Sequence, residues 1–189
     1  MRITGGEFCG RGLSVPKTGA VRPTQDRVRA ALFNILAPVT PDADFLDLFA
    51  GTGAVGLEAL SRGARRATFV ESDRRHIAVI RENVSAVSAD ARADVVAADA
   101  YRWLADYSGA GFSLAFADPP YALGEERGYA SVLKMLAGRG VIRPDGIFAA
   151  EMTSVQRSEE TPGWELLRDR TYGRTRLCIW RRTRAGDDD

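Results

Sequence analysis

Asp118-Pro119-Pro120-Tyr121 places the most demanding chemistry of this sequence in four consecutive residues. Two prolines in a row remove two backbone donors and stiffen the chain. The Asp118 carboxylate and the Pro119 carbonyl are then bare acceptors, and both can take a hydrogen from one planar NH2 group. An exocyclic base amine is a poor nucleophile because its lone pair is delocalised into the ring. Holding both of its hydrogens on outside acceptors favours a localised lone pair aimed at an electrophile. Tyr121 supplies a face on which a base can stack. The plain alternative is a proline-rich turn with no ligand.

A second constellation lies upstream. Asp47-Leu-Phe-Ala-Gly51-Thr-Gly53-Ala-Val-Gly56 contains GxGxxG between an apolar run and a helical pattern. Glycines there let a ligand approach the backbone, and a helix N-terminus offers free N–H groups. Glu71 follows Gly51 by twenty residues, where a carboxylate can accept from both ribose hydroxyls. NAD and S-adenosylmethionine satisfy these features equally. Asp47 would neutralise a cationic amino-acid end and repel a pyrophosphate, and Asp118–Tyr121 decides for S-adenosylmethionine.

These residues need elements to position them. Phe45–Phe49, Ala67–Val70, Ala93–Ala97, Leu114–Ala117 and Ile147–Met152 read as strands. Helical patterns fall between them at Gly53–Ser61, Arg74–Val84, Ala100–Tyr107 and Gly128–Ala137. Apolar strands alternating with helices predict a parallel sheet covered on both faces, with ligands beyond the carboxyl ends of the strands. Trp164–Arg170 and Thr175–Arg181 flank a turn at Gly173 and predict a closing antiparallel hairpin. Upstream, Thr24 is a candidate N-cap for a helix that carries Val28, Leu32, Ile35 and Leu36 and stops before Pro38. The expected fold is α/β: one doubly wound Rossmann-like domain over residues 24–184. It has a hairpin or loop extension, basic in charge, at 1–23 and an acidic tail at 185–189.

Composition excludes other classes. With 45% hydrophobic and 27% charged residues, the 189-residue chain is globular. Two cysteines, Cys9 and Cys178, form no CxxC pair, which excludes a disulfide scaffold and a cysteine-rich zinc module. A single histidine, His76, excludes a multi-histidine metal site. No apolar run approaches membrane-spanning length, and the N-terminus lacks a signal-peptide core, so a cytoplasmic protein without a metal is expected. The net charge of +1 is uneven: residues 1–36 carry +4, residues 37–163 carry −5 and residues 164–186 carry +5. Basic ends around an acidic middle could face a polyanion together.

DLFAGTGAVGLEAL, VESD, the Ala98-Asp99-Ala100 step and DPPY resemble the ordered motifs of class I S-adenosylmethionine-dependent methyltransferases that modify base amino groups. GGEFCGRGLSVP followed by RPTQDRVRAALFNIL resembles the N-terminus of the RsmD family, whose members methylate the N2 amine of a guanine in 16S ribosomal RNA. The resemblance runs from Ile3 through Leu177 with no departure in these motifs. It implies that Asp47, Gly51 and Gly53 hold the methionine end of S-adenosylmethionine. It puts Glu71 on the ribose, Ser72 beside the adenine, and Asp99 with Ala100 at the adenine amine. It makes Asp118, Pro119, Pro120 and Tyr121 the catalytic group around the guanine. Arg22, Thr24, Arg27 and Arg29 would lie at the RNA mouth. The implied partner is 16S ribosomal RNA, free or within the small subunit, with no membrane and no obligate protein partner.

The expected reaction is direct in-line transfer to an extruded or single-stranded guanine, without metal or covalent enzyme intermediate. Rivals are a DNA adenine or cytosine amino methyltransferase, for which 189 residues leave little room for a target-recognition region, and a methyltransferase acting on another amine. An NAD-dependent oxidoreductase would leave DPPY unexplained, and a non-catalytic RNA-binding protein would not need the intact glycine loop.

Overall fold

The computed structural model describes residues 1–16, 26–119, 129–156 and 161–184. The chain has a mixed α/β fold whose seven strands run in the order β3-β2-β1-β4-β5-β7-β6, mostly parallel and closing antiparallel. In sequence the elements are α1 Asp26–Leu36, β1 Asp44–Leu48, α2 Ala54–Ser61, β2 Arg66–Glu71, α3 Arg74–Ala86, β3 Ala93–Ala97, α4 Ala100–Asp106, β4 Phe112–Ala117, α5 Tyr129–Gly138, β5 Ile142–Thr153, β6 Trp164–Tyr172 and β7 Thr175–Arg182. Among the described residues no helix is long and apolar enough to cross a membrane. Two compact units divide the chain, Met1–Ala100 and Tyr101–Asp189.

In the first unit β1 pairs with β2 and β2 with β3, all parallel. Phe45, Leu46, Leu48, Phe69 and Val70 are buried on these strands, as expected for strands covered on both faces. Helix α2 is buried along its whole length. Helix α3 is amphipathic, with Ile77, Ile80, Asn83 and Val84 inward, and is capped by the Asp73 carboxylate accepting from Arg75 N at 2.7 Å. Residues 1–16 form a loop closed by a bridge between Arg2 and Gly12 and pinned to the helices of this unit. Gly6 fits there only because it lacks a side chain. Its φ is +80°, and a Cβ would lie 1.8 Å from the Ser61 carbonyl oxygen.

In the second unit β4 pairs parallel with β5, and β7 lies antiparallel between β5 and β6. Trp180 stacks on Phe148 at 5.6 Å, and Trp164 meets Phe148 edge-on at 6.2 Å. The Trp164 indole donates to the Leu133 carbonyl at 3.1 Å, fixing α5 to the hairpin. Strand β5 begins at Ile142, five residues before the expected start at Ile147. Phe112 pairs with Ile142 but Leu114 pairs with Ile147, so Arg143–Gly146 bulges out of the ladder. Asp145 takes φ 62° in this bulge. The hairpin turn at Gly173, also at positive φ, stands where the sequence placed it.

Candidate functional site

Strand β1 carries Asp47 and runs into the glycine loop. Phe49, Gly51 and Gly53 all have positive φ, and Gly53 N donates to the Ala50 carbonyl at 2.8 Å. Gly56 serves packing: a Cβ there would lie 2.3 Å from the Phe69 ring, so α2 rests directly on β2. The buried Asp47 carboxylate accepts from Gly56 N at 2.8 Å. A negative group is thereby held at the N-terminal end of α2, beneath the loop.

Glu71, at the end of β2, grips the same loop. One of its oxygens accepts from Gly51 N at 2.8 Å, and the other accepts from Ser72 N and Asp73 N, each at 2.8 Å. A carboxylate offers about four lone-pair sites, so Glu71 shapes the loop and retains capacity to accept from a ligand. Parallel pairing sets Glu71 opposite Ala97, and Ala98 N donates to the Glu71 carbonyl at 3.0 Å. Asp99 and Ala100 thus follow β3 beside Glu71. Asp99 and Ser72 are exposed and Ala100 is buried.

The seven residues expected at the cofactor therefore share one end of the first unit's strands. Their chemistry fits an S-adenosyl group. Ribose hydroxyls and an adenine amine require acceptors, which Glu71 and Asp99 provide, and a cationic methionine end suits the Asp47 charge. Among the described residues the space beside Gly51 is open, since a Cβ there would meet only the Phe49 carbonyl oxygen at 4.0 Å.

Two buried polar groups escaped the sequence reading, and the first of them supports this loop. Asn83, fully buried on α3, donates to the Thr52 carbonyl at 3.0 Å and the Ser14 carbonyl at 3.1 Å, and accepts from Ser14 N at 2.7 Å. Asn83 follows Ile80 by three residues, on the inward stripe of α3, which was the available signal. Glu58 is buried in α2 and accepts from Thr4 N, the Thr4 hydroxyl, Arg29 Nε and Arg62 Nε at 2.7–3.1 Å. Burial would raise its pKa, but the hydrogen bonds from Thr4, Arg62 and Arg29 outweigh burial and hold it below the ordinary carboxylate value.

In the second unit Asp118 and Pro119 follow the last residue of β4. Asp118 accepts no hydrogen bond from any described residue. Its pKa is pushed up to about 8, first by burial and then by the neighbouring charge of Glu151. Glu151 is itself buried on β5, accepting from the Thr175 hydroxyl at 3.3 Å. Because Ala117 pairs with Ala150, Asp118 and Glu151 are the next residues on adjacent strands. Glu151 is a third residue that the sequence reading missed. Pro120 and Tyr121 lie outside the described residues.

Of the four residues expected at the RNA mouth, two are described, and these two separate. Arg22 and Thr24 lie outside the described residues. Arg27 is exposed on α1. Arg29, expected to face RNA, is fully buried instead, bonded to Glu58, Asp26 and the Arg2 carbonyl. The physical reason is helical phase: Arg29 lies on the inward stripe with Val28, Leu32, Phe33 and Leu36.

The family model described as "Conserved hypothetical protein 95" matches residues 1–181. The ribosomal RNA small subunit methyltransferase D of Escherichia coli (strain K12) is 38% identical over 192 residues, covering 100% of this chain and 93% of that protein. The solved structure of yhhF from Escherichia coli shares 34% identity with a TM-score of 0.87, covering 98% of this chain and 99% of that one. SMU.776, in a structure complexed with SAH, shares the fold at 18% identity with a TM-score of 0.66, over 85% of this chain and 50% of that one. The chain belongs to the RsmD family, that of ribosomal RNA small subunit methyltransferase D.

Proposed function

We propose that the chain transfers a methyl group from S-adenosylmethionine to the exocyclic N2 amine of a guanine in 16S ribosomal RNA. Family membership makes it an S-adenosylmethionine-dependent rRNA methyltransferase; the base, the atom and the residue roles are the proposal. The observation that carries it is Asp118, a desolvated carboxyl without a hydrogen-bond donor among the described residues, followed directly by Pro119, whose carbonyl is a second acceptor.

When bound, S-adenosylmethionine supplies a methyl group on a positively charged sulfur. Glu71 and Asp99 accept from its ribose and adenine, and Ser72 and Ala100 lie against the adenine. Gly51 and Gly53 let the backbone come close, and the Asp47 charge beneath the loop favours the cationic end. Asp118 and the Pro119 carbonyl take the two amine hydrogens, and Tyr121 stacks on the base, stiffened by Pro120. One amine hydrogen gives Asp118 the donor it lacks among the described residues, which favours its carboxylate form. The nitrogen would gain the methyl group as the sulfonium loses it, and the one proton it sheds would pass to the Asp118 carboxylate. Catalysis comes from positioning and from hydrogen bonds aimed at the amine. Arg22, Thr24 and Arg27 are the proposed RNA contacts at the N-terminal end.

Transfer of a labelled methyl group tests this reading, with free 16S RNA, unmethylated small subunits and DNA as substrates, each digested to nucleosides. N2-methylguanosine from RNA or subunits alone is expected, and the productive arm identifies the substrate form. Label in DNA, or on another base, overturns it.

A further inference from the structure

The seven arginines of residues 164–186 are not equivalent. At the end of the hairpin away from Asp118, Arg181 pairs with Glu165, Arg184 pairs with Asp145, and Arg182 donates to the Ile142 carbonyl. Nearer the turn, Arg176 pairs with Asp169. Arg168, Arg170 and Arg174 remain exposed and form no ion pair with a described residue; of their side chains, only Arg168 makes a hydrogen bond, to the Leu167 carbonyl at 2.7 Å. Residues 168–176 therefore carry four arginines against one aspartate.

Topology places this surplus at the catalytic edge of the second unit. Strand β5 runs parallel to β4, so its end at Thr153 lies at the same edge as Asp118. Thr153 pairs with Thr175 and Thr175 with Tyr172, which brings the hairpin turn to that edge. Glu151, the neighbour of Asp118, pairs with Leu177, and Leu177 pairs with Arg170. Paired residues on adjacent strands share a face, so Glu151, Leu177 and Arg170 form one row. At about 4.8 Å per strand, the Arg170 backbone lies about 10 Å from that of Glu151. The turn is braced as well: Ser154 N donates to the Arg174 carbonyl at 3.0 Å, and the Arg176 guanidinium donates to the Gln156 carbonyl.

We infer that Arg168, Arg170 and Arg174 form a phosphate-binding strip that holds the RNA strand flanking the target base. The inference rests on the rRNA reading above and adds a surface on the second unit to the contacts proposed at the N-terminal end. A guanidinium without a local carboxylate gives its charge and its donor fork to a phosphate without first breaking an ion pair. A braced hairpin loses little freedom when it binds. Arg181 and Arg184, already neutralised, contribute little.

The test is binding of an unmodified 16S rRNA transcript across a series of KCl concentrations. It compares the intact chain, the triple variant Arg168→Ala/Arg170→Ala/Arg174→Ala, and the control Arg181→Ala/Arg184→Ala. S-adenosylmethionine binding serves as the folding check. The triple variant should lose roughly 10- to 100-fold in affinity near 100 mM salt, and its salt slope should fall by about two to three. The control should keep a slope within about half a unit of the intact chain, and both variants should bind S-adenosylmethionine normally. An unchanged slope in the triple variant, or an equal loss in the control, overturns the strip even where the intact chain methylates the RNA. Failure of the intact chain to bind or methylate the transcript and the small subunit overturns the rRNA reading and the strip together.

Discussion

Glu151 is the cross-strand neighbour of Asp118, and the two acids do not ionise independently. Burial, followed by the charge of Glu151, carries the Asp118 pKa to about 8. The group proposed to receive the amine hydrogens is therefore largely protonated at neutral pH before substrate arrives. The free enzyme's kcat/KM should rise with pH with a midpoint near 8, because only the carboxylate form is free to accept the amine hydrogen on either oxygen and then take up the released proton. Replacing Glu151 by Gln removes the repulsion and leaves burial in place, so the midpoint should move to lower pH. A pH–rate profile that is flat from 6 to 9 in the intact enzyme would sink this role.

The same shift has a cost in stability. A carboxyl whose folded pKa lies above its unfolded value contributes fully below about pH 4, and that contribution is lost as pH rises through about 8. Asp118→Asn should therefore abolish turnover while raising Tm relative to the intact chain, more at pH 9 than at pH 5. Each kcal/mol gained corresponds to about 2–4 °C at this chain length. Melting curves at the two pH values decide, and a smaller gain at pH 9 contradicts the assignment.

Asn83 ties the glycine loop to the N-terminal segment through one carboxamide. Asn83→Ala strands the Thr52 carbonyl and the backbone N–H and carbonyl of Ser14, at a cost of about 1–3 kcal/mol. Asn83→Asp is the sharper variant, since it keeps an acceptor for Ser14 N and loses both donors. Calorimetric titration should show weaker S-adenosylmethionine binding for Asn83→Asp in protein that still melts cooperatively. Unchanged affinity would confine Asn83 to a purely architectural role.

Two arginines separated by a single residue on α1 should behave in opposite ways. Arg29→Ala leaves the Glu58 carboxylate buried without one of its partners, and such losses cost about 3–5 kcal/mol. Arg27→Ala removes an exposed charge, so stability should change by less than about 0.5 kcal/mol while RNA affinity falls. The double variant Arg29→Met/Glu58→Leu should be more stable than Arg29→Ala, because no buried charge is left behind. Denaturant midpoints and RNA titrations on the three proteins check both halves.

The order of strands and helices, and most of their limits, were legible because the apolar runs and the helical periods do not overlap. The strand expected from Ile147 leaves out Pro144-Asp145-Gly146, whose residue types favour a turn. The chain does turn there and then rejoins the same ladder, which only the pairing with Phe112 reveals. The glycine loop and Glu71 were legible from spacing along a strand–loop–helix unit. Glu58, Asn83 and Glu151 were not, because a polar residue in an apolar run says nothing of its partner when that partner is tens of residues away. Arg29 shows the opposite error: the resemblance put it at the RNA mouth, and its helical phase, readable in the same eleven residues, places it inside.

The N-terminal segment also constrains the order of events during synthesis. Thr4 bonds to Glu58, Phe8 to Ser61 and Ser14 to Asn83, at separations of 54, 53 and 69 residues. These residues leave the ribosome before any of their partners exist. At about 5–20 residues per second, Ser14 waits roughly 3–14 s for Asn83 to be made. Residues 1–16 are therefore among the later parts of the first unit to settle, and until then α2 and α3 lack the backbone that satisfies Glu58 and Asn83.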